Sequence, residues 1–518
     1  MVGIVPNRGG LCLLVVGIAN CLATLCGPAN AQEAHGLAAA VALENAFVKV
    51  IEQAETSVVS IARIKIESPI LLDHKPLNPF GLDFRNTLES SQPSSPDFIP
   101  NDFGAGIIIA PHQGQTERFI LTNYHVVRGG PPVGQKPSEY RIYVRFANRR
   151  GYYAEILAAD PRGDLAVLRI DFSALGMKPA DLKPIKLGDA SNLKKGRFII
   201  ALGNPYAIAR DGSASASWGI ISNISRRTKP AGPPRDPETS RKETIHHYGT
   251  LLQIDARLDL GTSGGPLLNL TGELIGITTS LAALDGFEKS VGYATPLDDA
   301  TRRAIDALTR GHEVEYGFLG VEPRNVPYVR LRQMSGGFRQ SSAAKVAKVF
   351  RNSPASFGGL QSGDLILEVN EKLIHNKEDL IRMIGRLAPE SIANLRVWRN
   401  RQALKLAVKL GKWPVHNEEG IIATSPRYPA WRGISVDFPT GRRKYLPYPH
   451  LYHQAVLVTR ITPNSSAGST QLQEGDFISH VNQVAVRTPR EFRSAVQGQM
   501  GDVQLRLIDR SQPIVLRR

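Results

Sequence analysis

Residues 251–280 read LLQIDARLDLGTSGGPLLNLTGELIGITTS. Two short apolar runs, LLQIDA and ELIGITTS, flank a glycine-rich turn, Gly261-Thr262-Ser263-Gly264-Gly265-Pro266. A lone serine in such a turn is usually only a turn residue. Here the glycines matter chemically, because without Cβ atoms they let backbone N–H groups come close to a substrate oxygen. The N–H groups of Gly261 and Ser263 are the candidate donors to an oxyanion formed during acyl transfer. The same residues also fit G-x-S-x-G, the serine turn of α/β-hydrolases. That turn runs directly into a helix, and its chain order is serine, acid, histidine. Gly264-Gly265-Pro266 is a poor helix start, and the histidine and acid available here both precede the serine.

A serine hydroxyl is a weak nucleophile until a base contacts it and a third group orients that base. Working outward from Ser263, two upstream segments supply these parts. In Leu121-Thr122-Asn123-Tyr124-His125, the histidine ends an apolar run. In Asp160-Pro161-Arg162-Gly163-Asp164, the second aspartate sits at a turn before the apolar run LAVLRI. Each alone reads as an ordinary structural residue. Together they give the order His, Asp, Ser, with 39 and 99 residues between successive members. Those separations are long enough to draw the three groups from different strands of a β fold.

The surroundings are β throughout. GIIIA, RFILTNYHVV, YRIYVRF, DLAVLRI, RFIIALG and WGIISNI are short apolar runs bounded by turn residues, the pattern of a barrel or sandwich. Residues 225–247 are basic and proline-rich and read as an exposed loop. Residues 68–102, rich in Pro, Ser and Asn, read as a long one. Helical spacing marks 38–55 and 296–309.

Past residue 311 the chain repeats itself. Residues 343–370 (AAKVAKVFRNSPASFGGLQSGDLILEVN) and 455–482 (AVLVTRITPNSSAGSTQLQEGDFISHVN) align without gaps. Each holds a strand, a Pro/Ser turn, Leu-x-x-Gly-Asp and a second strand ending Val-Asn, followed by a helical pattern. They are two copies of one small α/β module, over 312–412 and 425–518.

The N-terminus reads as a targeting segment: Arg8, an apolar stretch over 11–25, then Ala29-Asn30-Ala31 as the expected cleavage point. An uncleaved membrane anchor is the alternative, although the stretch is short for a span. The three cysteines, Cys12, Cys21 and Cys26, lie inside it, so residues 32–518 carry no thiol. With no H-E-x-x-H motif either, neither a metal nor another cofactor is expected. The formal net charge of +16 is spread over many segments and accompanies no nucleic-acid motif, so it reads as a solvated surface and no nucleic-acid partner is expected.

Taken in chain order, SVVSI, GAGIIIA, ILTNYHVV, DPRGDLAVLRI, LGNPYA, GIISNISR, LLQIDARLDLGTSGGPLLNLTGELIGI and VGYATPLDDA resemble the HtrA (DegP-like) serine proteases over about residues 40–300. The two repeats extend that resemblance to the C-terminus as PDZ-like domains. The resemblance implies a mainly β chain: a chymotrypsin-like double β-barrel over 32–311 behind a signal peptide at 1–31, then two small α/β PDZ-like domains. It implies a periplasmic or cell-envelope endopeptidase acting on unfolded or damaged polypeptides, assembled as a homotrimer or a multiple of trimers. His125 takes the role of general base, Asp164 orients it, and Ser263 is the nucleophile. Phe318-Leu319-Gly320-Val321 matches the family's carboxylate-binding loop, so peptide C-termini are the expected ligands of the first PDZ domain. The second repeat has Trp431-Arg432-Gly433-Ile434 there, which leaves its peptide binding open. Thr262 stands where the family usually has Asn.

The family's preference for small aliphatic residues before the cut is put in question by Arg257, which lies six residues before Ser263 with Ile277 on the neighbouring wall. Either the guanidinium enters the specificity pocket and selects acidic residues, or it points to solvent. The competing function on the same fold is a proteolytically silent chaperone or PDZ scaffold, which would have no chemical need for all three catalytic groups.

Overall fold

Short apolar runs, several of them buried at nearly every position, form the strands, and twelve strands close here into two barrels. The computed structural model describes residues 29–65, 102–110, 116–128, 140–172, 178–204, 213–226, 244–279, 291–333, 340–416, 420–445 and 453–517, with Gly3, Pro100 and Glu418. The apolar stretch 11–25 with its three cysteines lies outside the described residues, as do most of the two expected loops at 68–102 and 225–247.

Helix α1 (Ala29–Glu55) leads into β1 (Val58–Lys65), β2 (Asp102–Ile109) and β3 (Phe119–Thr122). The short helix α2 (Tyr124–Arg128) follows, then β4 (Tyr140–Phe146), β5 (Gly151–Asp160) and β6 (Leu165–Arg169). The sheet order is β5-β4-β1-β2-β3-β6, and β6 pairs back onto β5, closing a six-stranded antiparallel barrel. The second barrel follows β7 (Lys186–Leu187). It comprises β8 (Phe198–Gly203), β9 (Ser215–Arg226), β10 (Leu251–Ile254), β11 (Pro266–Leu268), β12 (Glu273–Thr279) and β13 (Gly292–Pro296). Its ring runs β11-β8-β9-β10-β13-β12 and closes by β11–β12 pairing. Closure leaves no open sheet edge within either ring.

Inward-facing residues fill each barrel: Ile61, Ile120, Val144 and Leu168 in the first, Ile199, Ile221, Ile254 and Leu267 in the second. A third core lies between them, where Ile107, Leu121 and Leu165 meet Ile200, Leu202 and Ile277. Burying one such side chain contributes roughly 1.5–3 kcal/mol. Two helices seal this seam. α1 places Val50 and Ala54 on it, and α3 (Asp299–Thr309) adds Ala304, Ile305 and Leu308. The side chain of Asp298 caps α3 by accepting from Ala300 N and Thr301 N. The helix expected over 38–55 begins at Ala29 and so crosses the expected cleavage point after Ala31. Its Phe47 packs against Phe198 and Trp218, and Trp218 is 62% exposed.

The two repeats share one topology. Five strands lie in the order Val321–Asn325, Ala344–Val349, Leu365–Val369, Ile392–Arg399, Gln402–Lys409 in the first. In the second the order is Ile434–Asp437, Val456–Ile461, Phe477–Val481, Val503–Leu507, Ile514–Leu516. Each carries one main helix, α4 (Lys377–Gly385) and α5 (Pro489–Val496), packed on its own apolar core. The segment joining the repeats is not a free tether. Its short strand Ile422–Ala423 adds to the first barrel, pairing Ile422 with Ala159 and Ala423 with Ala158 of β5.

Candidate functional site

The barrel seam brings together the three groups that lie 39 and 99 residues apart in sequence. β3 ends at Thr122, and the chain turns into α2, so His125 occupies a one-and-a-half-turn helix just past the strand. Its Nδ1 lies 2.9 Å from Asp164 Oδ2 and 3.0 Å from Oδ1, and its backbone N–H donates to Oδ1 at 3.0 Å. A carboxylate acceptor at Nδ1 fixes the proton there and leaves Nε2 as the basic nitrogen. Nε2 is buried and makes no hydrogen bond with Ser263 or any other described residue. Asp164 is 3% exposed and sits at φ +50°, in the left-handed region. Its carbonyl accepts from Asn123 Nδ2 at 3.0 Å.

Ser263 lies opposite, 4% exposed, on the loop between β10 and β11. Its carbonyl accepts from Ala105 N of β2 at 2.8 Å, a backbone bond that ties the serine loop of one barrel to the wall of the other. The N–H groups of Thr262, Gly264 and Gly265 are engaged by the carbonyls of Asp259, Thr278 and Thr262. Thr278 Oγ1 adds bonds to the carbonyls of Thr262, at 2.6 Å, and Gly265, at 3.0 Å. Gly261 and Gly264 have φ of +97° and +84°, and a Cβ on either would stand 2.3 Å from Asn204 O or 2.2 Å from Ala105 O. The loop therefore tolerates no side chain at these two positions, which is the physical content of the glycine pattern around the serine.

Two residues not visible in the sequence complete the setting. Thr279 Oγ1, at the end of β12, lies 3.3 Å from Asp164 Oδ2. His246, fully buried, lies with Nε2 3.2 Å from the carbonyl of Gly163 and Nδ1 2.6 Å from Thr250 Oγ1. No motif flags either one. A threonine ending an apolar strand and a histidine following a basic loop carry no local signature of what they touch.

Burial above all drives the His246 pKa down to about 4, with Arg386 and His247 adding and Asp164 and the Gly163 carbonyl opposing. An unfolded imidazole binds its proton near pH 6.5. Between roughly 6.5 and 4 the unfolded chain takes up a proton that the folded chain refuses, so stability falls as pH drops through that window. Burial would raise Glu313, but Lys412, Arg442 and Arg162 hold it well below the usual carboxylate range, so its contribution is lost only at lower pH. Thermal unfolding of the full chain from about pH 7 to 4.5 should show a falling Tm, with a flatter slope in His246→Gln. Parallel slopes would contradict the assignment of this titration to His246.

The comparisons with known proteins bear on the family. A trypsin-like peptidase domain profile matches residues 104–277, and a PDZ domain profile matches residues 317–410. A probable periplasmic serine endoprotease DegP-like of Pseudomonas fulva (strain 12-X) is 30% identical over 470 residues, covering 87% of this chain and 88% of the relative. The chain belongs to the HtrA (DegP-like) serine endoprotease family. A second relative of the same description, from Halomonas elongata, is 29% identical over 416 residues, covering 80% of this chain and 76% of its own length. Among solved structures, an HtrA-type protease AlgW with tripeptide aligns over 71% of this chain and 98% of its own, at 25% identity and a TM-score of 0.48.

Within this HtrA-family serine endopeptidase, the two residues considered for specificity lie apart. Arg257 has an 82% exposed side chain paired with Asp259 at 3.2 Å, so its guanidinium points to solvent. Ile277 is fully buried in the core between the barrels.

The two PDZ loops also differ. In Phe318-Leu319-Gly320-Val321, Gly320 takes φ +82°, its carbonyl accepts from Phe350 N and Ser353 Oγ, and that of Leu319 accepts from Ala355 N. The adjoining strand Val321–Asn325 lies at the sheet edge. In the second loop Trp431 and Ile434 exchange reciprocal backbone bonds, N–H to carbonyl, at 3.0 and 2.8 Å. Arg432, at φ +48°, donates to the carbonyls of Gln499, Gly501, Leu516 and Arg517. The second loop is thus closed on itself and fastened to the C-terminal strand.

Proposed function

We propose that this endopeptidase cleaves unfolded or damaged envelope polypeptides through an acyl-enzyme formed on Ser263. The observation that carries the reading is the pair of buried Asp164 and half-buried His125 beside a glycine-rich serine loop at the barrel seam. His125 Nε2 takes the serine proton and returns it to the leaving amine, Asp164 stabilises the imidazolium, and the N–H groups of Gly261 and Ser263 hold the oxyanion. His125 Nε2 makes no hydrogen bond in the free protein, which suits a site that tightens when substrate arrives. Residues 32–311 form the protease domain, and 312–412 and 425–518 the PDZ modules. The open strand edge beside Phe318–Val321 supports capture of substrate C-termini by β-addition at the first PDZ domain, while the self-closed second loop does not. The periplasm is the proposed compartment, supported by the targeting pattern at the N-terminus and by the names of the relatives.

The exposed, Asp259-paired guanidinium of Arg257 supports cleavage after small apolar residues without an electrostatic choice by that arginine. Digestion of an unfolded protein, with product termini read by mass spectrometry, should give termini dominated by Val, Ile and Ala. Arg257→Ala should leave that distribution unchanged. Termini dominated by Lys and Arg would overturn the pocket reading, and loss of cleavage after Asp or Glu in the variant would place the arginine inside the pocket.

A further inference from the structure

The aspartate that orients the base sits in a conformation that an L-residue disfavours, at φ +50°. Something outside the turn must hold it there. From the near side, Asp160 Oδ2 accepts from Gly163 N at 3.2 Å. From the far side, the segment 244–250 of the second barrel is stitched to the same turn. Thr244 Oγ1 and Ile245 N both donate to the carbonyl of Arg162 at 2.9 Å, and His246 Nε2 reaches the carbonyl of Gly163 at 3.2 Å.

A carbonyl oxygen can only accept, so the proton of His246 is on Nε2. Nδ1 must then accept from Thr250 Oγ1 at 2.6 Å. The ring is completely buried, and the two neighbours define a single neutral tautomer. The outer side of the segment is fastened as well: Arg382 Nη1 of α4 donates to the carbonyl of Gly249 at 2.8 Å.

We infer that His246 is a positioning residue for peptide hydrolysis: its Nε2–H clamps the Gly163 carbonyl and so fixes the direction of the Asp164 carboxylate toward His125. The inference rests on the triad reading above. An aliphatic side chain of similar bulk would leave the Gly163 carbonyl and the Thr250 hydroxyl without this partner, and the turn would relax toward a right-handed φ. The carboxylate would then turn away from Nδ1. A glutamine can return a donor to the Gly163 carbonyl.

The test compares His246→Leu, His246→Gln, Thr250→Val and Asp164→Asn in the full chain, by steady-state cleavage of a peptide substrate across pH and by thermal unfolding. For His246→Leu the expected result is a kcat roughly ten- to hundredfold lower, with KM held within about twofold. The acid limb of kcat/KM should move to lower pH, because a displaced Asp164 stabilises the His125 imidazolium less. His246→Gln should recover most of kcat and the position of the limb. Thr250→Val, which frees the ring to change tautomer, should shift both in the direction of the leucine variant, and it decides the matter should that variant not fold. A lower Tm with unchanged kcat and an unmoved acid limb would reduce His246 to a packing residue and overturn the inference. So would a glutamine variant no better than leucine. An active Asp164→Asn would instead sink the triad reading, whereas an inactive one beside a fully active His246→Leu would sink this inference alone.

Discussion

Ser263→Ala should lower cleavage of an unfolded protein by at least about three orders of magnitude and leave the fold intact. The substitution removes one hydroxyl from a residue that is 4% exposed. The contacts that shape the loop involve backbone atoms of residue 263 and its neighbours: Ala105 N to the Ser263 carbonyl, Gly264 N to the Thr278 carbonyl, and Thr278 Oγ1 to Thr262 O and Gly265 O. None of these four bonds needs the serine side chain. The variant should therefore unfold at nearly the same temperature. On the proposed mechanism, His125 then has no serine proton to take, and the oxyanion donors can favour only direct attack by water. Activity above about a hundredth of the normal rate in the purified variant would place the nucleophile elsewhere.

Lys412→Met should be among the most destabilising single changes outside the barrels, by about 3–5 kcal/mol. Lys412 ends the short strand Gly411–Lys412, just past the 317–410 PDZ match, and its side chain is 2% exposed. Its ammonium lies 2.8 Å from Asp437, in the first strand of the second PDZ repeat, and 3.2 and 3.5 Å from Glu313 and Glu315, between α3 and the strand Gly317–Phe318. Burial alone would depress its pKa, but Asp437 foremost, then Glu313 and Glu315, hold it above the ordinary lysine range. Arg442 bridges Glu313 and Asp437, and Arg162, on the turn that carries Asp164, bonds Asp160 and the carbonyl of Val314. Tyr316 donates to Asp160 and lies under the Arg162 guanidinium. Four cations (Arg162, Lys412, Arg427, Arg442) thus face four carboxylates (Asp160, Glu313, Glu315, Asp437). Removing one central charge leaves buried carboxylates uncompensated. The surface pair Lys186–Glu273, at 2.6 Å with a 74% exposed lysine, is the control. Lys186→Met should cost no more than about 1 kcal/mol, since exposed pairs are screened by solvent. Equal midpoints for the two variants in denaturant-monitored unfolding would show that the cluster does not hold the domains together.

The sequence by itself determined the parts of this protein whose signals are local. Short apolar runs bounded by turn residues announced the barrels, and the gapless match between 343–370 and 455–482 announced the paired modules. The chain order of His125, Asp164 and Ser263, with glycines at 261 and 264, carries the proposed chemistry. Each of these is read within a few residues, because hydrophobic period and the backbone freedom of glycine act at that range. The tertiary structure decided what depends on atoms meeting across the chain. It carried α1 back to Ala29, moved His125 from a strand end into α2, turned Arg257 outward and placed Ile277 in the core. It brought Thr279 to Asp164 from 115 residues away, His246 to Gly163 from 83, and Tyr316 to Asp160 from 156. It also laid the strand Ile422–Ala423 against β5 and fastened Arg432 to the C-terminal strand. No period or spacing encodes such meetings. A buried histidine or lysine is stable only where partners on other segments satisfy it, and those partners are fixed when the barrels and PDZ modules pack together.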